Sequence, residues 1–349
     1  MRLTLSVLAV GVALGAVPAA GQDPDIRVVV RDAVNTPVSR AYQGRNRNSG
    51  PEQTEKFARR VKVGRDGRVS ISNIAGDIKV TAGSGDEVVI DAVKRTRRDS
   101  RELAAVHITV DDRPGRVDVR TEYDNDRMFG NNNSGVSVDY TVQMPAGASL
   151  DVKSISGNVT VSGIQGAVHA ETVSGTLTTS GTPKITAKTI SGDLELISAP
   201  NDSDLAASTV SGTIRAKNLK VRSLDLGSIS GDVALTDVAC DRLGVKSVSG
   251  SVEFAGTLGK SGRYDINSHS GSVRLSLAGN VGFELTADSF SGSIRSELPL
   301  TIAGDPDANR RDGRRSYGPR RTTMHATFGD GSAALIIRTF SGDIIITKR

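Results

Sequence analysis

The chain has 349 residues, a formal charge of +5 from 44 Lys and Arg against 39 Asp and Glu, and a sequence pI near 9.4. Six arginines and three aspartates crowd into residues 304–321, so the excess positive charge is local rather than a basic face, which argues against nucleic-acid binding. A single cysteine excludes an intramolecular disulfide, and the lack of tryptophan with only 3% aromatics speaks against stacked-ring sugar grooves and base-stacking surfaces.

Met1-Arg2, the apolar stretch 3–16 and the small residues up to Gly21 read as a secretory signal peptide over 1–21, cleaved between Ala19 and Gln22. The apolar run is too short for a membrane span. No later stretch approaches that length, so the mature chain is expected to be exported and soluble, in the periplasm or at the cell surface. Residues 22–60 read as a polar arm or linker containing a short strand, Ile26–Val30, and the turn-rich run Gly44–Pro51. Residues 61–149 form an irregular N-terminal β part. Its strands are expected over Val69–Val80, Val88–Val93, His107–Val110, Val117–Thr121 and Val136–Val142, with one or two helical turns over 99–105 and an Asn/Asp-rich loop over 124–135. Whether this part is made of longer coils or of a separate β cap stays open.

From residue 150 to 349 one pattern dominates. Around Gly231, Leu224 and Leu226 lie seven and five residues before, Ile229 two before, and Val233 and Leu235 two and four after. The same offsets hold around Gly157 (Leu150, Val152, Ile155, Val159, Val161), Gly192 (Ile185, Ala187, Ile190, Leu194, Leu196) and Gly250 (Leu243, Val245, Val248, Val252, Phe254). Further copies centre on Gly76, Gly175, Gly212, Gly271, Gly292 and Gly342. Glycines 157 to 292 are spaced by 18, 17, 20, 19, 19, 21 and 21 residues. Such a period predicts an all-β, right-handed parallel β-solenoid with coils of 19–21 residues, each burying its face against its neighbours. The three-residue interval from Leu226 to Ile229 breaks strand parity and predicts a bend or bulge in every coil.

Three residues before the glycine stands a hydroxyl column (Ser154, Thr172, Thr189, Thr209, Ser228, Ser247, Ser268, Ser289, Thr339; Asn73 in the first copy), and one residue before it another of serines. Stacked in register, these predict inward ladders in which each hydroxyl donates to the next. Turn-forming Asp, Asn, Ser or Thr follows each glycine. The interval from Gly292 to Gly342 is 50 residues, one coil plus an insertion that coincides with 304–321. The last copy ends in Lys348-Arg349, charge that discourages end-to-end stacking of rods.

The Ser-Ile/Val-Ser-Gly-Asp-Val array, preceded by the strand Tyr140-Thr141-Val142-Gln143-Met144-Pro145, resembles the DUF4097 family of bacterial proteins, which carries an adhesin label. The resemblance covers residues 61–349 and implies a β-solenoid of the cell envelope with an adhesin-like role and no catalytic residues to transfer. The expected function is accordingly a non-enzymatic interaction or scaffold module whose partner is an envelope polymer or protein. Two alternatives are a polysaccharide-active β-helix hydrolase or lyase and an envelope-stress sensing component. Candidate contacts for an anionic partner are Arg310, Arg311, Arg314, Arg315, Arg320 and Arg321.

Residues that would carry chemistry are scattered. His107, His169, His269 and His325 show no ligand spacing, and Cys240 reads as a buried hydrophobe, so neither metal nor cofactor is expected. His269 sits where other copies hold Ile, Val or Phe, which predicts a partly buried packing residue. Asp193 and Asp232 fall in one column two coils, or about 10 Å, apart. That spacing suits an inverting glycosidase, but Thr, Ser and Asn alternate there as at a turn.

Overall fold

Valine, isoleucine and leucine alternate with polar residues through most of the chain, and that alternation folds as strand after strand. The computed structural model describes residues 51–124, 135–302 and 322–349. Among these residues the protein is all-β, with one continuous, mostly parallel sheet.

The N-terminal strands are β1 (Gln53–Lys62), β2 (Arg68–Ala75), β3 (Ile78–Gly83), β4 (Glu87–Thr96), β5 (Val106–Arg113), β6 (Arg116–Tyr123) and β7 (Ser137–Pro145). A 3-10 helix, Ser100–Ala105, begins where the Asp99 side chain accepts the Arg101 N–H. β1 with β4, β4 with β7, and β5 with β6 are antiparallel pairs. β6 and β7 dock parallel on β2 and β3. The irregular interval is therefore a cap: it covers one edge of the first repeat copy, whose other edge meets the regular repeats. The fold also reaches into the expected polar arm, because β1 begins at Gln53.

The regular part continues with β8 (Ser149–Ser156), β9 (Val159–Ser162), β10 (Val168–Ser174), β11 (Leu177–Ser180), β12 (Lys184–Ser191), β13 (Leu194–Ile197), β14 (Asp204–Ser211), β15 (Ile214–Ser230), β16 (Val233–Ser249) and β17 (Val252–Ser270). Strands that precede the glycine pair parallel with one another, and strands that follow it do the same. One row of partners runs Leu150, Val168, Ile185, Leu205, Leu224, Leu243, Tyr264. Register is thus set by the glycine offset, since a slip of one residue would turn every buried side chain outward. In the Gly231 copy four aliphatic side chains, Leu224, Leu226, Val233 and Leu235, are buried, each contributing about 1.5–3 kcal/mol.

The C-terminal strands are β18 (Val273–Ala278), β19 (Phe283–Ser291), β20 (Ile294–Ser296), β21 (Thr301–Ile302), β22 (Thr322–Phe328), β23 (Ala333–Ser341) and β24 (Ile344–Lys348). Here space and sequence part company. β23 lies between β17 and β19, parallel to both, and β24 lies between β18 and β20. The last copy in sequence is therefore next to last in the stack, inserted between the Gly271 and Gly292 copies. β22 runs antiparallel along the other edge of β19, with β21 beyond it. This corrects the expectation that Lys348-Arg349 guards an open end: the antiparallel β22 lies along the β19 edge, and the Arg349 guanidinium pairs with Asp237 on the stack's side.

Alternation runs unbroken through the residue two before the glycine, so the bend or bulge expected in every coil is a bend at the glycine and no bulge within the strand before it. Residues seven, five and three before the glycine point inward, so the isoleucine or valine two before it points out. Chain direction changes at the glycine, with φ of +150° at Gly231. A second corner lies six residues on, where Gly163, Gly181, Ser198, Asn218 and Asp237 adopt φ of 48–74°.

Candidate interaction surface

The ten repeat glycines form a single file. A Cβ on Gly231 would lie 2.0 Å from the Gly212 carbonyl oxygen, and one on Gly157 2.1 Å from that of Gly76. Backbone contact across coils demands glycine at all ten, and a left-handed φ adds to that demand at all but Gly192 and Gly292. Gly342 abuts Gly271, and Gly292 abuts Gly342, which repeats the altered order of the last coils.

Hydroxyls three residues before the glycine are buried, as expected, but their partners differ. Ser228 Oγ donates to the Gly231 carbonyl at 3.0 Å, and Ser289 Oγ to the Gly342 carbonyl at 3.2 Å. In the first copy Asn73 Nδ2 donates to the Val138 carbonyl at 2.8 Å, while its Oδ1 accepts from Thr121 at 3.0 Å. Five of the nine hydroxyls thus serve main-chain carbonyls, while Ser154, Thr189, Ser247 and Thr339 have no partner among the described residues, and no hydroxyl-to-hydroxyl ladder forms. The reason is that the tight turn leaves carbonyls within reach, and an unpaired buried carbonyl costs more than a hydroxyl pair gains. Serines one residue before the glycine are exposed.

The residue after the glycine ties one coil to the next. Asp193 Oδ1 accepts the Thr213 N–H, and Asp232 Oδ1 the Ser251 N–H, both at 2.8 Å. Asp193 also pairs with Arg215 at 2.9 Å. The Thr213 N–H, followed by the Arg215 guanidinium, holds the Asp193 carboxyl below its ordinary range, the opposite of what a general acid requires. The two aspartates act as caps on neighbouring turns.

Outside the stack, the column two residues before the glycine forms a continuous apolar file. Ile155, Ile190 and Ile229 are each just over half exposed, at 51, 53 and 52%. This corrects their expected place in the interior. Toward the far end the file turns aromatic: the His269 ring stacks on Phe340 at 4.9 Å, and Phe340 on Phe290 at 4.8 Å. His269 is exposed, so its packing partner is a neighbouring surface ring rather than the core.

Beside this file runs the outward column four residues before the glycine, with Lys153, Glu171, Lys188, Ser208, Gly227 and Lys246. Between the two columns lies a groove of about 920 Å³, from Ser72 and Ile74 to Val248. Glu171 is held by His169 at 2.9 Å and Lys153 at 3.4 Å. Branched apolar side chains in an otherwise exposed surface row are the feature that sequence reasoning misplaced. Strict period-two parity from the buried pair at minus seven and minus five would have turned them outward.

Among the described residues no group of three or more His, Cys, Asp or Glu could hold a metal ion, and no helix is long and apolar enough to cross a membrane. Cys240 is buried and its thiol is pushed up to about 12 by desolvation. Arg310, Arg311, Arg314, Arg315, Arg320 and Arg321 lie outside the described residues, as do the signal segment and most of the Asn-rich loop.

The "Toastrack" DUF4097 family profile matches residues 67–347, from the first repeat strand to the last. The chain belongs to the DUF4097 family. Two solved structures resemble this DUF4097 chain at low identity. A "putative cell adhesion protein" from Clostridium sporogenes is 8% identical over 85% of this chain and all of its own, with a TM-score of 0.25. A "putative adhesin" from Bacteroides fragilis is 12% identical over 84% of this chain and 97% of its own, with a TM-score of 0.36. No curated protein matches it.

Proposed function

We propose that the chain is an exported, non-enzymatic, adhesin-like scaffold of the bacterial cell envelope, a right-handed parallel β-solenoid that holds an extended partner along one outer side. The observation that carries this reading is the apolar file beside its groove. Surfaces of soluble proteins rarely expose contiguous apolar patches without a partner to cover them, and here the patch follows the stack over successive coils. The in-register ladders support the solenoid reading, because they make every coil a rigid copy of its neighbour. The six arginines of 304–321 add a second contact for anionic envelope polymers.

The test is retention of envelope components from a bacterial membrane and wall extract on the immobilised chain from residue 22 onward. Ile190→Ser/Ile229→Ser should reduce what is retained, and replacement of the six arginines by Ser should reduce retention of anionic wall or membrane fractions. Unchanged retention by both variants sinks the proposal. Release of reducing ends or unsaturated products from acidic polysaccharides would sink its non-enzymatic part.

A further inference from the structure

The chemistry of the groove narrows the partner further, on the reading that this outer side is the binding surface. One wall is the branched aliphatic file, with Ile155, Ile190 and Ile229. The other carries Lys153, Lys188 and Lys246, long side chains of the kind that lay methylene stems along apolar surface and keep the ammonium in water. Lys153 is committed to Glu171. Lys188 and Lys246 pair with no carboxylate among the described residues. The rim is therefore cationic, and the column from Asn73 to Ser247 lies between the two walls.

Width and hydrogen bonding decide what fits. The groove's volume of about 920 Å³, spread over six strand spacings of about 4.8 Å, leaves a mean cross-section of about 30 Å². An α-helix, about 10–12 Å across with its side chains, is too wide to enter. An extended peptide would leave its own N–H and C=O groups unpaired, because the strand backbones beneath are occupied by the coil-to-coil ladders. A polymethylene chain has neither problem: it is narrow and makes no hydrogen bonds. The file from Ile74 to Val248 covers six strand spacings, about 29 Å. An acyl chain reaching across one leaflet, about 15 Å of a hydrocarbon core roughly 30 Å thick, fits within it.

We infer that the groove binds the acyl chain of an anionic single-chain lipid, with the chain along Ile155–Ile190–Ile229 and the acidic headgroup at Lys188 or Lys246. The lipid lies along the stack, crossing the strands.

The experiment is equilibrium dialysis of the chain from residue 22 onward against tritiated hexadecanoate below its micellar concentration, with dodecanoate, octanoate and hexadecanol as comparisons. Saturable binding is expected, with affinity rising from octanoate to hexadecanoate. Ile190→Ser/Ile229→Ser should weaken hexadecanoate by about tenfold or more. Lys188→Gln/Lys246→Gln should weaken the acid by about tenfold and leave the alcohol unchanged. All four side chains lie on the outer surface, and unchanged circular dichroism would confirm the fold of each variant. The chain-length series on the unmutated protein tests the idea without any variant.

Absence of saturable binding overturns the lipid assignment, as does binding that ignores both double variants. Binding only after removal of residues 22–50 also overturns it, making that segment the natural occupant. If hexadecanoate does not bind while envelope retention still depends on Ile190 and Ile229, the scaffold reading stands and the lipid assignment alone falls.

Discussion

The rings of Phe340 and His269 stack 4.9 Å apart, with planes 13° from parallel, although one belongs to the last repeat copy and the other to the copy two glycines earlier. That contact exists because β23 enters between β17 and β19. The C-terminal copy is an internal coil, hydrogen-bonded along both edges.

Its position predicts exchange behaviour. Amide protons of Ile337 and Thr339 should exchange as slowly as those of Val245 and Ser247, because both sets lie between paired strands. Deleting residues 333–349 should remove the protection of β19 and β20 as well. Fast exchange throughout β23 in the intact chain, read by hydrogen–deuterium exchange, would contradict the insertion.

Gly231→Ala should destabilise by about 2–5 kcal/mol, since a Cβ must enter left-handed φ and collide with a carbonyl that backbone packing fixes in place. Gly244→Ala tests the contrast. Its nearest neighbour would be the Asp225 carboxylate, a movable side chain, so its cost should be clearly smaller in urea unfolding.

Two serines from the same buried column should respond differently. Ser228→Ala strips the Gly231 carbonyl of its donor and should cost about 1 kcal/mol. Among the described residues Ser247 Oγ has no hydrogen-bond partner, so Ser247→Ala should fall within about 0.5 kcal/mol of neutral. Equal losses in chemical denaturation would show that the hydroxyls act through something other than the turn carbonyl.

The Asp193 carboxyl is held below its usual value by the Thr213 N–H and then Arg215. A depressed folded pKa contributes stability above the unfolded value, about 3.9, and that contribution disappears as pH falls through the lower folded value. Asp193→Asn keeps an acceptor for Thr213 but loses the charge. Its Tm should fall below wild type at pH 7, and the difference should close as pH falls through the lowered folded value. A gap that persists in acid would assign the effect to geometry instead of ionisation.

The sequence by itself determined the coil. Glycine offsets, the buried apolar pairs around Gly157, Gly192, Gly231 and Gly250, the turn residues after them and the strands of the 81-residue interval are all local or periodic signals, and the structure places each in register. Sequence also marked which hydroxyls would be numerous, but not where they donate. That depends on the glycine carbonyls, which only the folded turn brings within reach.

Tertiary structure decided three things. It turned Ile155, Ile190 and Ile229 outward, because parity runs through the buried serine and threonine that a hydropathy pattern discounts. It assigned the segment before Gly157 to a cap, since strands of that kind pair equally well as coils or as antiparallel ribbons. And it inserted the final copy ahead of its predecessor. Repeats with one pattern are interchangeable neighbours, so their order in space is a property of the chain's return path along β22 and not of any residue within the repeat.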